Sequence, residues 1–235
     1  MSMINNGHKR TANDFVLLDR RYIDVTGDHI LDRISFYGQK YNPDTAYYKQ
    51  LVVEVADRTQ PKPAIITLPG GYNPTMQFCD LNGDNAADIY VSAETGGSAG
   101  TSDFYLYTDL NNIPKQLPVP QPLEISGQFQ DQYQVSISIK ESNKTFTLDL
   151  SERKNQYDQA GYYRNGKLIT PTNVLPNAYT VLRPVRLSHD GVCSLYGIQR
   201  IAGFYNADTI AYVTSLWKWH TNHWMLLETD VRKAP

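Results

Sequence analysis

Apolar and polar residues alternate with a period of two along much of this chain, and this alternation constrains the fold more than any other feature. Val135, Ile137 and Ile139 are separated by single serine residues, and a polar turn at 142–144 leads into a second alternating segment at 146–150. Such a pattern is typical of a hairpin with one buried face. No long amphipathic segment with helix-capping residues is evident. The sequence therefore predicts an all-β protein.

Further strands are predicted along the rest of the chain, and each is bounded by turn-forming residues. The predicted strands lie at 51–55, 65–68, 104–107, 210–213, 216–219 and 224–227. We expect the second of these to end in a turn at Pro69-Gly70-Gly71, and the last two to flank a hairpin turn from His220 to His223. Short strands separated by turns favour a barrel, a sandwich or a propeller. The length of 235 residues suits a single all-β domain spanning 1–235.

Charge and hydropathy exclude several functional classes. The chain has 22 Lys and Arg against 24 Asp and Glu, a formal net charge of −2, so no basic excess favours nucleic-acid binding. No run of about 18 apolar residues predicts a membrane span. No apolar segment follows Lys9-Arg10, so no signal peptide is visible and the compartment is left open. Cys79 and Cys193 are interpreted as ordinary buried or half-buried thiols, although they could pair if the fold brought them together.

An internal repeat stands out against this background. Asp24–Asp32 and Asp80–Asp88 share three aspartates and a glycine at a constant offset (80 − 24 = 56). A weaker copy lies at 188–191, and the hairpin at 133–150 falls near a missing middle copy. The chain is therefore expected to hold about four units of roughly 50 to 60 residues, which is the size of a propeller blade with its loops.

The repeated nine-residue pattern suits a hard cation. Oxygen atoms at positions 1, 3, 5 and 9, with a backbone carbonyl from position 7, can converge on Ca²⁺, which takes six to eight oxygen ligands. Closely spaced carboxylates repel each other unless a cation lies between them. The expected calcium ligands are Asp24, Thr26, Asp28, the Ile30 carbonyl and Asp32 in the first loop, and Asp80, Asn82, Asp84, the Ala86 carbonyl and Asp88 in the second. Because Thr26 is a poorer ligand than Asn82, the first site is expected to be weaker.

A simpler interpretation is a pair of Asp- and Gly-rich turns that bind nothing. The loops are not EF-hands, because those require glycine at position 6 and glutamate at position 12. The copy at 188–191 is expected to be an empty turn, since Arg186 and Ser194 stand where aspartate would be needed.

The two loops resemble those of the FG-GAP/VCBS repeat family, whose pattern is D-x-[ND]-G-D-x-x-x-D. Asp80–Asp88 fits it closely, and Asp24–Asp32 fits with Thr26 substituted. The segment 197–209 looks like small VCBS-type proteins of spore-forming Gram-positive bacteria. The resemblance implies a calcium-stabilised integrin-type β-propeller, of four or five blades at this length, with no established catalysis. The resemblance also leads us to expect the protein at the cell or spore surface.

Two other motifs are weaker indications of function. His220 and His223 are interpreted as a solvated turn, because a transition-metal site would need a third ligand. Neighbours on one loop cannot align as a catalytic triad, which argues against Ser188-His189-Asp190. The sequence therefore predicts no catalytic residue and no enzyme activity. The leading hypothesis is a calcium-stabilised module that binds another macromolecule, a protein or a glycan. The alternative is a lectin or a carbohydrate-active enzyme on a propeller.

Overall fold

The structure is a computed structural model that describes residues 15–42, 44–187 and 191–235. Strands dominate these residues, and the single α-helix, α1 (Lys154–Gln159), is six residues long. The prediction of an all-β protein is therefore confirmed. The described residues divide into two compact units. Unit 1 takes in residues up to Asp80, Asp84–Gly96 and Asp103–Leu117, and unit 2 takes in Leu81–Gly83, Gly97–Ser102 and Pro118–Pro235. The expectation of one domain built of about four repeats stays a prediction.

Seven strands form a sheet whose order follows the chain. They are β1 (Phe15–Ile23), β2 (Asp32–Lys40), β3 (Tyr48–Ala56), β4 (Ala64–Cys79), β5 (Asp88–Glu94), β6 (Ser102–Thr108) and β7 (Lys115–Leu117). Alternate side chains of β3, namely Leu51, Val53 and Val55, are fully buried, as the period of two predicts. They pack in a core with residues of β2, β4 and β5, including Phe36 and Ile89.

The 16-residue strand β4 divides this sheet into two meanders. Its first half, 64–71, pairs with β3, and its second half, 72–79, pairs with β5. The predicted turn at 69–71 is therefore wrong, because the strand continues through these residues. A Cβ atom on Gly70 would clash with the Tyr48 carbonyl oxygen, so glycine here permits close approach of the two strands and does not reverse the chain. Each half of the sheet is a four-stranded meander that shares β4.

Unit 2 contains three smaller sheets. The predicted hairpin at 133–150 is confirmed, because β9 and β10 pair with Lys144 opposite Ile139. The predicted turn after His220 is also confirmed, with Thr221 and Asn222 at positive φ between two long strands. The strands are β8 (Ile125–Phe129), β9 (Gln134–Ile139), β10 (Lys144–Asp149), β11 (Tyr163–Arg164), β12 (Lys167–Leu168), β13 (Leu175–Val185), β14 (Ser194–Ala202), β15 (Thr209–His220) and β16 (His223–Lys233). The last four form an antiparallel sheet in chain order.

A buried ion pair anchors the helical segment of unit 2. The Arg153 guanidinium lies 2.7 Å from an Asp208 carboxylate oxygen, and only 14% and 1% of these side chains are exposed. Asp208 also accepts hydrogen bonds from the Tyr157 hydroxyl and the Phe204 backbone N–H. The Phe204 ring stacks on Tyr162 with centroids 3.9 Å apart. This network ties the segment around α1 to the turn between β14 and β15.

Several architectural expectations have a clear outcome. The sheets hold seven, three, two and four strands and none closes into a barrel, so a barrel is excluded for the described residues. Across the described ranges, no helix has the length and apolar character needed to cross a membrane.

Both Cys79 and Cys193 are disulfide-bonded, so their interpretation as free thiols is wrong.

Candidate functional site

The two acidic loops predicted from the sequence have the same backbone conformation. Loop 1, residues 24–32, connects β1 to β2, and loop 2, residues 80–88, connects β4 to β5. Gly27 and Gly83 have φ angles of 79° and 80°, and His29 and Asn85, two residues later, have φ angles of 67° and 69°. Such left-handed backbone favours glycine and asparagine. The sequence repeat is therefore also a structural repeat, and each copy closes the first hairpin of a four-stranded meander.

The first and second aspartates of each loop accept hydrogen bonds from the loop's own backbone. Asp24 accepts from the N–H groups of Gly27 and His29 at 2.7 and 2.9 Å. Asp80 accepts from the Asn85 N–H at 3.0 Å. The second aspartates make equivalent contacts in the two loops: Asp28 accepts from the N–H of Ile30 at 2.8 Å, and Asp84 from that of Ala86 at 3.0 Å. Backbone donors thus stabilise both turns from within.

The last aspartate of each loop is buried, with Asp32 fully covered and Asp88 1% exposed. One Asp32 oxygen, Oδ2, accepts from the Val25 N–H at 2.9 Å and from the Thr26 N–H and hydroxyl, both at 3.2 Å. The other oxygen, Oδ1, is buried and has no hydrogen-bond partner. Burial raises the pKa of Asp32 and outweighs the opposing effect of these hydrogen bonds. Asp32 therefore holds loop 1 with one oxygen and leaves the other unsatisfied.

Loop 1 contacts two other segments of unit 1. The Ala87 N–H donates to the Asp24 carbonyl at 3.1 Å, which connects loop 1 to the end of loop 2. The Asn111 N–H donates to the Thr26 carbonyl at 3.2 Å. Asn111 belongs to a short 3-10 turn, Leu110–Asn112, that follows β6. These bonds place the start of that turn, Asp109, in the neighbourhood of loop 1.

Asp109 was not among the predicted ligands, yet its carboxyl group is strongly perturbed. It is fully buried, and neither of its oxygens has a hydrogen-bond partner. Burial, followed by the charges of Asp32 and Asp57, raises the pKa of Asp109 to about 7. The side-chain carbonyl of Asn112, three residues later, is buried and unpartnered as well. We call Asp32, Asp57, Asp109 and Asn112 the acidic cluster.

Asp57 differs from the other members of the acidic cluster, because its oxygens accept from the Thr59 N–H and hydroxyl, both at 2.7 Å. The three carboxyl groups come from separate parts of the sequence, after β3, at the start of β2 and after β6. The Asp-Leu-Asn-Asn run at 109–112 is a recognisable turn signal, but nothing in the sequence places it beside loop 1.

The predicted ligand set is only partly brought together. Thr26 is buried and its hydroxyl donates to Asp32, whereas Ile30 is 42% exposed and Ala86 is buried. Within the described ranges, no group of three or more Asp, Glu, His or Cys side chains is arranged to hold a metal ion. The calcium prediction for both loops stays a prediction. The weaker third copy, Ser188-His189-Asp190, lies outside the described residues.

Comparison with known proteins identifies the family. The model of a family described as the YybI C-terminal domain matches residues 123–232, which lie within unit 2. The uncharacterized protein YybI of Bacillus subtilis (strain 168) is 32% identical over 208 residues, covering 86% of this chain and 79% of that protein. This chain belongs to the YybI family. No solved structure matches it.

This membership corrects the resemblance stated from the sequence. The matches are to the YybI family, and neither is to an FG-GAP or VCBS repeat protein, so assignment to that family is wrong. The acidic loops of this YybI-family chain lie outside the matched C-terminal domain. Their role must therefore be argued from their own geometry.

Proposed function

We propose that this YybI-family chain is a non-enzymatic, calcium-stabilised all-β module that binds another macromolecule, and we assign it no catalytic residue. The observation that carries the proposal is the equivalence of loops 1 and 2. Two segments 56 residues apart (80 − 24 = 56) adopt one conformation, use aspartates at the same positions, and are linked by the Ala87-to-Asp24 hydrogen bond. A turn that only reverses the chain has no need for so many carboxylates.

The chemistry of the donor set agrees with calcium. The loops offer carboxylate, amide and carbonyl oxygens, with no thiolate, and hard cations prefer such ligands. The Asp28 side chain lies at the exposed end of loop 1, where a cation can reach it from solvent. Binding there would offset the repulsion between the aspartates of each loop and stabilise the folded state.

The proposal is tested by thermal unfolding in calcium and in chelator. A ligand at a hundredfold excess over its Kd stabilises the folded state by about 2.7 kcal/mol. For a chain of this size that corresponds to a rise in Tm of roughly 5 to 10 °C. We expect this rise with Ca²⁺ at millimolar concentration and its loss in EDTA. Equal Tm values in calcium and EDTA would refute the proposal.

We further propose that the fold is a small propeller of four or five blades. Its support is the four-stranded antiparallel meander, which is the form of a propeller blade. The two halves of the seven-stranded sheet and the β13–β16 sheet each follow this order. An experimental structure with four or more such sheets around a central axis would establish it, and a sandwich would refute it.

The alternative, a carbohydrate-binding protein, is favoured by a groove on the β13–β16 sheet. The groove has a volume of about 380 Å³. Arg183 lies over the ring of Tyr196 at 5.6 Å, and Arg232 pairs with Asp230 at 3.2 Å. Charged groups beside an aromatic ring can bind sugar hydroxyls and a sugar face. A glycan array combined with hydrolysis assays separates the two candidates: binding lost in Tyr196→Ala supports a lectin, and turnover of a polysaccharide supports an enzyme.

A further inference from the structure

The acidic cluster of unit 1 contains more unsatisfied buried oxygen atoms than a stable interior normally tolerates. Both oxygens of Asp109, Oδ1 of Asp32 and Oδ1 of Asn112 are buried without a hydrogen-bond partner. Most buried polar atoms in proteins are paired, so a group of unpaired ones calls for an explanation. Asp32 and Asp109 are both fully buried, which excludes bulk water as their partner.

Two explanations are chemically available. The carboxyl groups can take up protons, or they can bind a cation, since buried like charges otherwise repel strongly. Every unpaired atom here is an oxygen that accepts and does not donate. An all-oxygen set of two carboxylates and one amide carbonyl matches the ligands that Ca²⁺ prefers, and Ca²⁺ tolerates the irregular geometry of such a set.

We propose that Asp32, Asp109 and Asn112 form a buried calcium site beneath loop 1; Asp57 is a nearby third carboxylate that Thr59 holds and that does not bind the ion. This inference rests on the proposed function, since both require calcium binding, but it assigns the ion to a different ligand set. Only Asp32 is shared with the nine-residue pattern. The site needs fewer than three acidic ligands, so it is compatible with the absence of a three-carboxylate centre among the described residues.

The local structure explains how calcium at this site would affect the loops. Oδ2 of Asp32 holds the Val25 and Thr26 N–H groups, so an ion on Oδ1 would fix the same side chain from its other oxygen. The Asn111 N–H holds the Thr26 carbonyl, so an ion on Asp109 and Asn112 would draw this turn toward loop 1. A single ion would thus connect β2, loop 1 and the turn after β6.

Calcium titration of the full chain by isothermal calorimetry tests the inference, with CaCl₂ as the titrant and MgCl₂ as a comparison. Asp109→Asn keeps the shape of the side chain and removes its charge. We expect this variant to lose more than about tenfold in calcium affinity, since even residues that merely orient a metal ligand cost that much when changed. The comparison variant is Asp28→Asn, which removes the exposed predicted ligand of loop 1 that accepts from the Ile30 N–H. Asp28 belongs to the nine-residue pattern and not to the acidic cluster, so this variant should retain calcium binding at the cluster.

The outcomes separate the two proposals. If Asp109→Asn binds calcium like the unchanged protein while Asp28→Asn does not, the calcium-stabilised module stands and the buried site is refuted. If the unchanged protein binds no calcium, both proposals fail, and the cluster is a protonated pair. Circular dichroism of each variant in EDTA confirms that it is folded, so that lost binding is not mistaken for lost structure. Preference for Mg²⁺ over Ca²⁺ would also overturn the assignment of the ion.

Discussion

Removing the charge of Arg153 should destabilise unit 2 far more than breaking an ion pair on the surface. Arg153→Met keeps most of the aliphatic bulk of the side chain but removes the guanidinium that lies 2.7 Å from Asp208. Because 1% of the Asp208 side chain is exposed, its carboxylate cannot regain water in exchange. The variant therefore leaves a buried charge without its counter-ion.

The contacts of Asp208 determine how much stability the variant should lose. Breaking a buried ion pair by removing one partner typically costs about 3 to 5 kcal/mol. Asp208 would keep the Tyr157 hydroxyl at 3.0 Å and the Phe204 N–H at 3.0 Å as donors. These remaining hydrogen bonds stabilise the carboxylate in part. We therefore expect a loss of free energy of unfolding near the lower end of that range, about 3 kcal/mol.

Urea denaturation at 25 °C and neutral pH measures the loss, followed by circular dichroism and by tryptophan fluorescence. The midpoint should fall while the slope with urea stays unchanged, because the surface exposed on unfolding is the same. The matched control is Lys140→Met, which breaks a pair with Glu124 whose side chains are 69% and 67% exposed. Exposed pairs contribute little to stability, so this variant should unfold almost like the unchanged protein.

The reasoning would be refuted if Arg153→Met and Lys140→Met had the same midpoint. That result would mean that Asp208 becomes solvated or protonated at little cost once Arg153 is removed. Asp208→Asn in the Arg153→Met background tests this point further. Removing the second charge should restore part of the lost stability, because the double variant no longer buries an unpaired carboxylate.

Two further predictions concern unit 1 and the disulfide. In EDTA, the free energy of unfolding should fall as the pH rises from about 4 to 7, because the pKa of Asp109 is raised to about 7 and the folded state therefore holds its proton more tightly. Asp109→Asn should remove up to about 4 kcal/mol of this pH dependence. Identical pH profiles for this variant and the unchanged protein would contradict the prediction. Reduction with dithiothreitol should lower the free energy of unfolding by about 2 to 5 kcal/mol. Urea denaturation of the oxidised and the reduced protein measures this loss. Two titratable thiols in the unreduced, denatured protein would contradict the disulfide at Cys79 and Cys193.

Local features of the fold could be predicted from the sequence because their causes are local. The alternation of Leu51, Val53 and Val55 follows from the geometry of a strand with one buried face. The reversal between His220 and His223 has Thr221 and Asn222 at positive φ, a conformation that asparagine favours and β-branched threonine rarely adopts. The equivalence of loops 1 and 2 follows from matched glycines and aspartates at one spacing. Each of these needs only a few consecutive residues to be specified.

The other features of the fold and of the acidic cluster depend on contacts between distant residues, which the sequence does not reveal. Pro69-Gly70-Gly71 has the composition of a turn, but the close approach of Tyr48 makes it part of a strand. Asp32 and Asp109 are 77 positions apart (109 − 32 = 77), and only the order of strands from β2 to β6 brings their segments together. The choice between free thiols and a disulfide was likewise a question of tertiary structure, which cysteine spacing alone cannot answer.

The structure also bears on where the proposed cation would contribute most to stability. Asp24 and Asp28 already accept backbone hydrogen bonds, so the visible motif of loop 1 is largely satisfied without an ion. Asp109 has no such donors, although it is more deeply buried than either. A cation gains most free energy where the charge it meets is least compensated. If the proposed buried site holds calcium, the motif of loop 1 also positions Asp32 beside Asp109, whose buried oxygens have no hydrogen-bond donor.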